Sequence, residues 1–218
     1  MAARDYGQYC GVTRGLELVG ERWALLLVRD LLVGPRRYGE LAAGLPRIPS
    51  NVLAARLKEL QEAGVIRRAP RSRVIVYELT PYGRELEPVV LALGAWGFKA
   101  MGDPREGQVV TPDSMTVALR TAFRPDVAAD LPPTAYAARV GPADLLVRVD
   151  GPALAVARGD GADVVDRADL AFAAGPGIRR LISGELDPAG AIATGVVEVL
   201  HGPDDLLGRF ARTFHLAA

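Results

Sequence analysis

The chain is short of several things, and each shortage excludes something. It has one cysteine in 218 residues, so no intrachain disulfide forms and a secreted disulfide scaffold is excluded. The two histidines, His201 and His215, and Cys10 show no metal-ligand spacing, so no metal and no other cofactor is expected. Lysine occurs only at Lys58 and Lys99 among 26 Lys+Arg; with Ala, Gly and Pro plentiful, that bias reads as genomic base composition. The longest apolar stretches, such as Val89 to Phe98, fall far short of the roughly 20 residues that span a bilayer. The opening Met-Ala-Ala-Arg-Asp-Tyr lacks the apolar core of a signal peptide. A cytoplasmic protein with no membrane partner is expected. Catalytic patterns are missing too. Ser183 lacks the G-x-S-x-G setting of a nucleophile elbow. Gly159-Asp-Gly161 has no third glycine for a dinucleotide loop. Asp160, Asp163, Asp166 and Asp169 lack a calcium loop's glycine and terminal glutamate. No enzyme is expected.

What is present is an ordinary globular balance, 50% hydrophobic and 24% charged. The net charge of zero hides an asymmetry. Residues 1–105 carry 16 Lys+Arg against 11 Asp+Glu, and residues 106–218 carry 10 against 15. A sign change between halves suggests two domains with different partners. The turn-rich Gly102-Asp-Pro-Arg-Glu-Gly107 marks the boundary, giving domains 1–105 and 106–218. The basic half is the candidate for binding a polyanion.

The basic half reads as helices followed by a hairpin. Residues 9–19 fit a helix with Val12, Leu16 and Val19 on one face. Glu21 to Val33 is apolar nearly all round and belongs in a core. Tyr38 to Ala43 is a short helix. Ser50 is an N-cap candidate for a helix to Ala63, with Gly64 at C′. On a helical wheel with Leu53 at 0°, Leu57 falls at about 40° and Leu60 at about 340°. These form a buried stripe. Asn51, Ala55, Lys58 and Glu62 lie opposite, with Ala54 at the flank. The outer face is small and polar near its start: Ser50, Asn51, Ala54, Ala55. Such a face lets a helix enter the DNA major groove, where Asn pairs with adenine; it is also what an ordinary solvated face looks like.

Val65 to Arg68 and Val74 to Leu79 read as strands about a basic turn, Ala69-Pro-Arg-Ser-Arg73. Helix, turn, helix and hairpin make a winged-helix pattern. Arg71 and Arg73 are placed to reach phosphate or the minor groove. Arg36 and Arg37, at a helix start, are placed to share a phosphate. Thr80-Pro81 opens a long helix to about Met101, with a kink or break expected at Pro88. Leu86, Val90, Leu93 and Trp96-Gly97 give it an apolar face that reads as a dimer seam, or as packing against the second half.

Residues about 9–101 resemble the HxlR family of winged-helix transcriptional regulators. The matching segments run from Tyr9 to Trp23, Leu31 to Leu41, Leu45 to Val65 and Tyr77 to Arg84. The resemblance implies a homodimer built by the first and last helices. Leu16, Val90, Leu93 and Trp96 are its interface candidates. It also implies recognition of a double-stranded DNA operator by the helix at 50–63. DNA contacts are then expected from Arg36, Arg37, Ser50, Asn51, Ala54, Ala55, Lys58, Arg71 and Arg73. The family's cysteine falls on Cys10, followed here by Gly11 where the family usually has proline. Some members use this thiol as a redox switch.

The second half reads as an α+β domain with a mostly antiparallel sheet. A capped helix spans Thr111 to Phe123. Strands follow at Tyr136–Val140, Asp144–Val149 and Ala153–Ala157. A hairpin turn is expected at Arg158-Gly-Asp-Gly161. Ala168–Ala173 and Gly195–Leu200 are further strands, Gly175–Ser183 and Asp187–Ala193 are helical, and Pro203–Phe214 is a final helix. The runs Ala168 to Ala174, Ile182 to Pro188, Ala193 to Val199 and the terminal Phe210 and Phe214 resemble the sterol carrier protein fold, over about 112–218. That resemblance implies an apolar cavity for a lipid-like effector. The combined expectation is a dimeric DNA-binding repressor that senses an apolar small molecule. The alternatives are a lipid or small-molecule carrier in which the winged helix mainly dimerises, and a redox-responsive regulator acting through Cys10.

Overall fold

The computed structural model describes residues 5–159 and 164–217. The chain divides into two compact units, residues 1–90 and 91–218. No described helix is long and apolar enough to cross a membrane. The expected hairpin turn at 158–161 lies partly outside the described residues.

The first unit holds α1 (Gly11–Val19), α2 (Ala24–Val33), α3 (Tyr38–Gly44), α4 (Ser50–Glu62), β1 (Ile66–Arg71), β2 (Val74–Leu79) and α5 (Pro81–Arg84). The apolar run after Gly20 starts its helix at Ala24, three residues later than expected. Trp23 is left-handed, with φ 80°, and the Arg22 guanidinium lies 5.2 Å from its ring centre. From there Leu27, Val28 and Leu31 are fully buried. In α4 the expected stripe is buried: Leu53, Leu57 and Leu60. Gly64 follows in the left-handed region, φ +70°. Ser50, however, is not the cap. Pro49 holds that position with φ −65° and ψ 143°, because the proline ring fixes an extended entry. Ser50 becomes the first helical residue, and its carbonyl accepts from the Tyr38 hydroxyl at 2.9 Å.

The hairpin is longer than its sequence suggested. The ladder runs from Ile66↔Leu79 to Arg71↔Val74, so the expected turn at 69–73 shrinks to Ser72 and Arg73. Ser72 takes φ 55°. Pro70 is tolerated because β1 lies at the edge of a two-stranded sheet. Arg36 bridges the other side of β2, exchanging hydrogen bonds with Tyr77 at 2.9 and 2.7 Å. Beyond the hairpin Thr80 caps α5, its hydroxyl accepting from the Gly83 amide at 3.0 Å. Gly83 must be glycine, since a Cβ there would stand 2.0 Å from the Val65 carbonyl oxygen.

The expected long helix is two. α5 ends at Arg84 and α6 (Glu87–Phe98) begins after Glu85–Leu86. Pro88 sits in the first turn of α6, where its missing N–H leaves no bond unmade. The compact units divide at residue 90, within α6, rather than in the 102–107 turn. The reason is that Phe98 joins the second core and Gly94 lies against Thr121.

The second unit continues with α7 (Pro112–Ala122), α8 (Pro125–Ala128), β3 (Thr134–Val140), β4 (Ala143–Asp150), β5 (Ala153–Arg158), β6 (Leu170–Ala174), a 3-10 turn at Pro176–Ile178, α9 (Arg179–Ile182), α10 (Pro188–Ala193), β7 (Val197–His201) and α11 (Asp205–Thr213). α8 has no counterpart in the sequence reading. Thr111 and Ser114 close a capping box on α7. The sheet order is β5-β4-β3-β6-β7. β3 and β6 run parallel and the other pairs antiparallel. One face packs on the helices through Tyr136, Phe172, Phe210 and Phe214, all fully buried. Phe210 lies 5.3 Å from Tyr136, 5.0 Å from Phe172 and 4.7 Å from Phe214, centre to centre. Such ring pairs contribute about 0.5–1.5 kcal/mol each beyond their area. The phenol of Tyr136 is pushed up to about 12, chiefly by burial. The other face carries a smaller cluster of Ala137, Leu146, Val164 and Ala171, beside a cavity of about 20 Å³, roughly one water's room.

Phe210→Ala should remove the hub of this cluster and cost about 3–5 kcal/mol. Urea unfolding followed by far-UV circular dichroism will measure it; a loss below 1 kcal/mol would contradict the packing described.

Candidate nucleic-acid interface

Burying Leu53, Leu57 and Leu60 fixes which side of α4 meets solvent. Ser50, Asn51, Ala54 and Lys58 are exposed, and Ala55 is half-buried. Small side chains near the N-terminus leave the helix backbone accessible. Lys58 reaches Glu62 at 3.7 Å, a pair worth little because both groups are in water.

The hairpin beside it is organised by one carboxylate. Glu78 is buried on β2. Its Oε1 accepts from Arg67 Nε at 2.8 Å and its Oε2 from Arg71 Nη2 at 3.0 Å. Hydrogen bonds from Arg71 and then Arg67 hold its carboxyl below the usual glutamate range, against the opposing effect of desolvation. Arg71 is therefore a strand residue bound to Glu78, not a loop-tip cation. Its register opposite Val74 puts it on the same face as Glu78, a relation that spacing along the chain does not display. Arg73, in the turn itself, is exposed and has no ion pair among the described residues. Arg68 stacks on Tyr77, 6.0 Å from its ring centre.

Arg36 and Arg37 part company. The Arg36 backbone is fixed in the bridge to Tyr77, and its Nη1 donates to the Pro35 carbonyl at 2.9 Å. Arg37 is exposed at the N-cap of α3, where its amide donates to Glu40 at 2.6 Å.

Two apolar stripes stand in water. On α1 and just ahead of it, Tyr9, Val12 and Leu16 are exposed. On α6 the exposed stripe is Val89, Leu93 and Trp96, at i, i+4 and i+7. Of the expected seam, Leu16, Leu93 and Trp96 are exposed, but Val90 is only 7% exposed and is used inside the chain. One residue along a helix is a 100° turn, and Val89 takes the outward place. Cys10 is exposed at the N-cap of α1. The Thr13 and Val12 amides and the Thr13 hydroxyl pull its thiol down from the ordinary value.

The family model described as HxlR-like helix-turn-helix matches residues 18–104. The HTH-type transcriptional regulator YdeP of Bacillus subtilis, itself uncharacterised, is 37% identical over 41% of this chain and 73% of its own length. The chain belongs to the HxlR-like helix-turn-helix family. An uncharacterised HTH-type transcriptional regulator of Mycobacterium tuberculosis is 43% identical over 43% of this chain and 60% of its own length. The chain thus spans about 60% of the mycobacterial relatives it matches. The solved structure of the redox regulator HypR in its oxidized form covers 44% of this chain and 100% of its own, with 32% identity and a TM-score of 0.40. In this HxlR-like chain the family match falls on the helices and hairpin described above.

The Glu78 bracket makes stability pH-dependent with a definite sign. Its folded-state carboxyl titrates below its unfolded value. Its stabilising contribution is present above the ordinary value of 4.5 and is lost as pH falls through the lower folded value. Thermal melts of the wild type and Glu78→Gln should therefore differ by a constant amount at neutral pH and converge on acidification. A gap that widens in acid would refute the assignment.

Proposed function

We propose that the protein is a dimeric, DNA-binding transcriptional repressor in which α4 reads the major groove and the β1–β2 turn touches the backbone. The observation carrying this reading is the exposed face of α4: Ser50, Asn51, Ala54 and Lys58 over a buried leucine stripe. Small residues allow close approach, and Asn51 offers the paired donor and acceptor that adenine's major-groove edge matches. Arg37 and Arg73 are the exposed cations for phosphate. The outward stripes of α1 and α6 support a homodimer. Two-fold symmetry then asks for a pseudo-palindromic operator with half-sites roughly 34 Å apart, or a multiple. A dimer on a promoter blocks polymerase access, which favours repression. We further assign the second unit to a sterol-carrier-like class, on its mostly antiparallel sheet layered with helices and its terminal Phe210 and Phe214. Four aromatic rings occupy the space in which an apolar effector was expected, and no ligand is assigned there.

The test is fluorescence anisotropy on DNA from upstream of the protein's own gene. Asn51→Ala should lose about 1–3 kcal/mol of discrimination at one base position. Arg73→Ala should reduce the slope of log affinity against log salt by about 1. Arg71→Ala should change that slope less, because Glu78 already offsets its charge. Unchanged binding in both Asn51→Ala and Arg73→Ala would remove the proposed interface.

A second reading rests on Cys10. An exposed thiol whose ionisation is favoured by two amides and a hydroxyl is a reactive one. Alkylation by iodoacetamide should show its half-maximal rate at a lower pH than free cysteine does. Peroxide should release DNA from the wild type and not from Cys10→Ser. Release from both would assign the effect elsewhere.

A further inference from the structure

Beside α4, on the flank away from Asn51 and Lys58, lies a cleft of about 360 Å³. That size is at the small end of ligand pockets, which run roughly 300–1,000 Å³. Its walls include Glu21, Arg22 and Trp23, from the turn before α2, and Arg47, Val52 and Arg56, from α4 and the loop leading into it. Val52 and Arg56 sit about 100° or more around the helix from Asn51 and Lys58. The cleft is therefore not part of the face that would meet base edges.

The chemistry of the lining is specific. Three guanidinium groups face Glu21 in the walls, with Glu59 pairing Arg56 from the side, so the cleft keeps a net positive charge. All three cations are planar forks, which pair with a carboxylate through two parallel N–H bonds and stack on flat rings. Trp23 and Val52 add an aromatic and an aliphatic wall. Arg56 is largely buried and bound by Glu21 Oε2 at 3.2 Å and by Glu59. Arg22 is exposed, lies over the Trp23 ring, and has no ion pair among the described residues.

We propose that this cleft binds a small aromatic carboxylate of one or two fused rings. The ring lies against Trp23 and Val52. The carboxylate is held by Arg22 and Arg47 and competes with Glu21 for Arg56. The Arg56–Glu21 pair ties α4 to the turn before α2, so a ligand that takes over Arg56 loosens that tie and alters the seating of α4. Binding requires no DNA; only its regulatory consequence rests on the reading of α4 as the DNA-contacting helix.

Isothermal titration of the full-length protein with 1-naphthoate tests the site directly. Saturable one-site binding is expected. Arg47→Ala should weaken it at least tenfold, and Glu21→Gln, which removes the competing charge, should tighten it severalfold. Thermal melts establish that each variant is folded. Naphthalene-1-methanol, the same ring system without the charge, should bind at least tenfold more weakly. The proposal is overturned if the alcohol binds as well as the acid, or if Arg47→Ala leaves affinity unchanged in a folded protein. It is equally overturned if inorganic phosphate displaces naphthoate at equal concentration, which would make the cleft a plain oxyanion seat such as a DNA phosphate would use. Naphthoate binding without any change in DNA affinity would sink the regulatory consequence and leave the site standing.

Discussion

The burial of Leu53, Leu57 and Leu60 is the constraint from which the first unit follows. Three leucines at helical spacing, each out of water, leave α4 one rotational setting. Each is worth about 2–5 kcal/mol by the cost of its truncation to alanine, so turning the helix by one residue is not an accessible alternative. The setting decides that Asn51 and Lys58 face solvent and that Arg56 and Val52 face the flank. Both the proposed groove contact and the anion cleft are consequences of that one orientation. The first needs what α4 shows outward, the second what it shows sideways.

The hairpin illustrates how charge count and available charge differ. Arg67, Arg68, Arg71 and Arg73 read along the chain as a basic tip. In space, Glu78 holds two of them and Tyr77 stacks with a third. What remains for a polyanion is concentrated at the turn. The same principle operates at residues 36 and 37, where backbone pairing with Tyr77 and a bond to Pro35 restrain one arginine and leave its neighbour exposed.

Elements whose identity depends on local pattern were legible from the residues. The stripe of α4, its glycine stop, the alternation of β3 to β5 and the capped α7 belong to this kind. Features set by a distant partner were not. Nothing near Arg71 announces Glu78, which joins it only through the strand register. The start of α2 depends on Trp23 accepting a left-handed backbone, which no propensity favours. The capping position fell to Pro49 because a ring-locked φ outweighed a serine's preference. On α6 one position of the stripe, Val90 for Val89, was misread because every side of that helix is apolar, and periodicity has little contrast to work with. The family resemblance of the first half is matched by the family model and the relatives, and the helix-facing side of the second sheet is packed with rings.

In the second unit the end of α7 is tied to the end of α11. The Arg124 amide donates to Thr213 and the His215 amide to Ala122, and Phe123 bridges Phe214. This seam thus joins the end of α7 to residues 213–215. The paired positions stand about ninety residues apart in the chain, so closing the seam orders a long intervening loop. Contacts of such high sequence separation form slowly, and the second unit should complete its fold later than the more locally connected hairpin of the first.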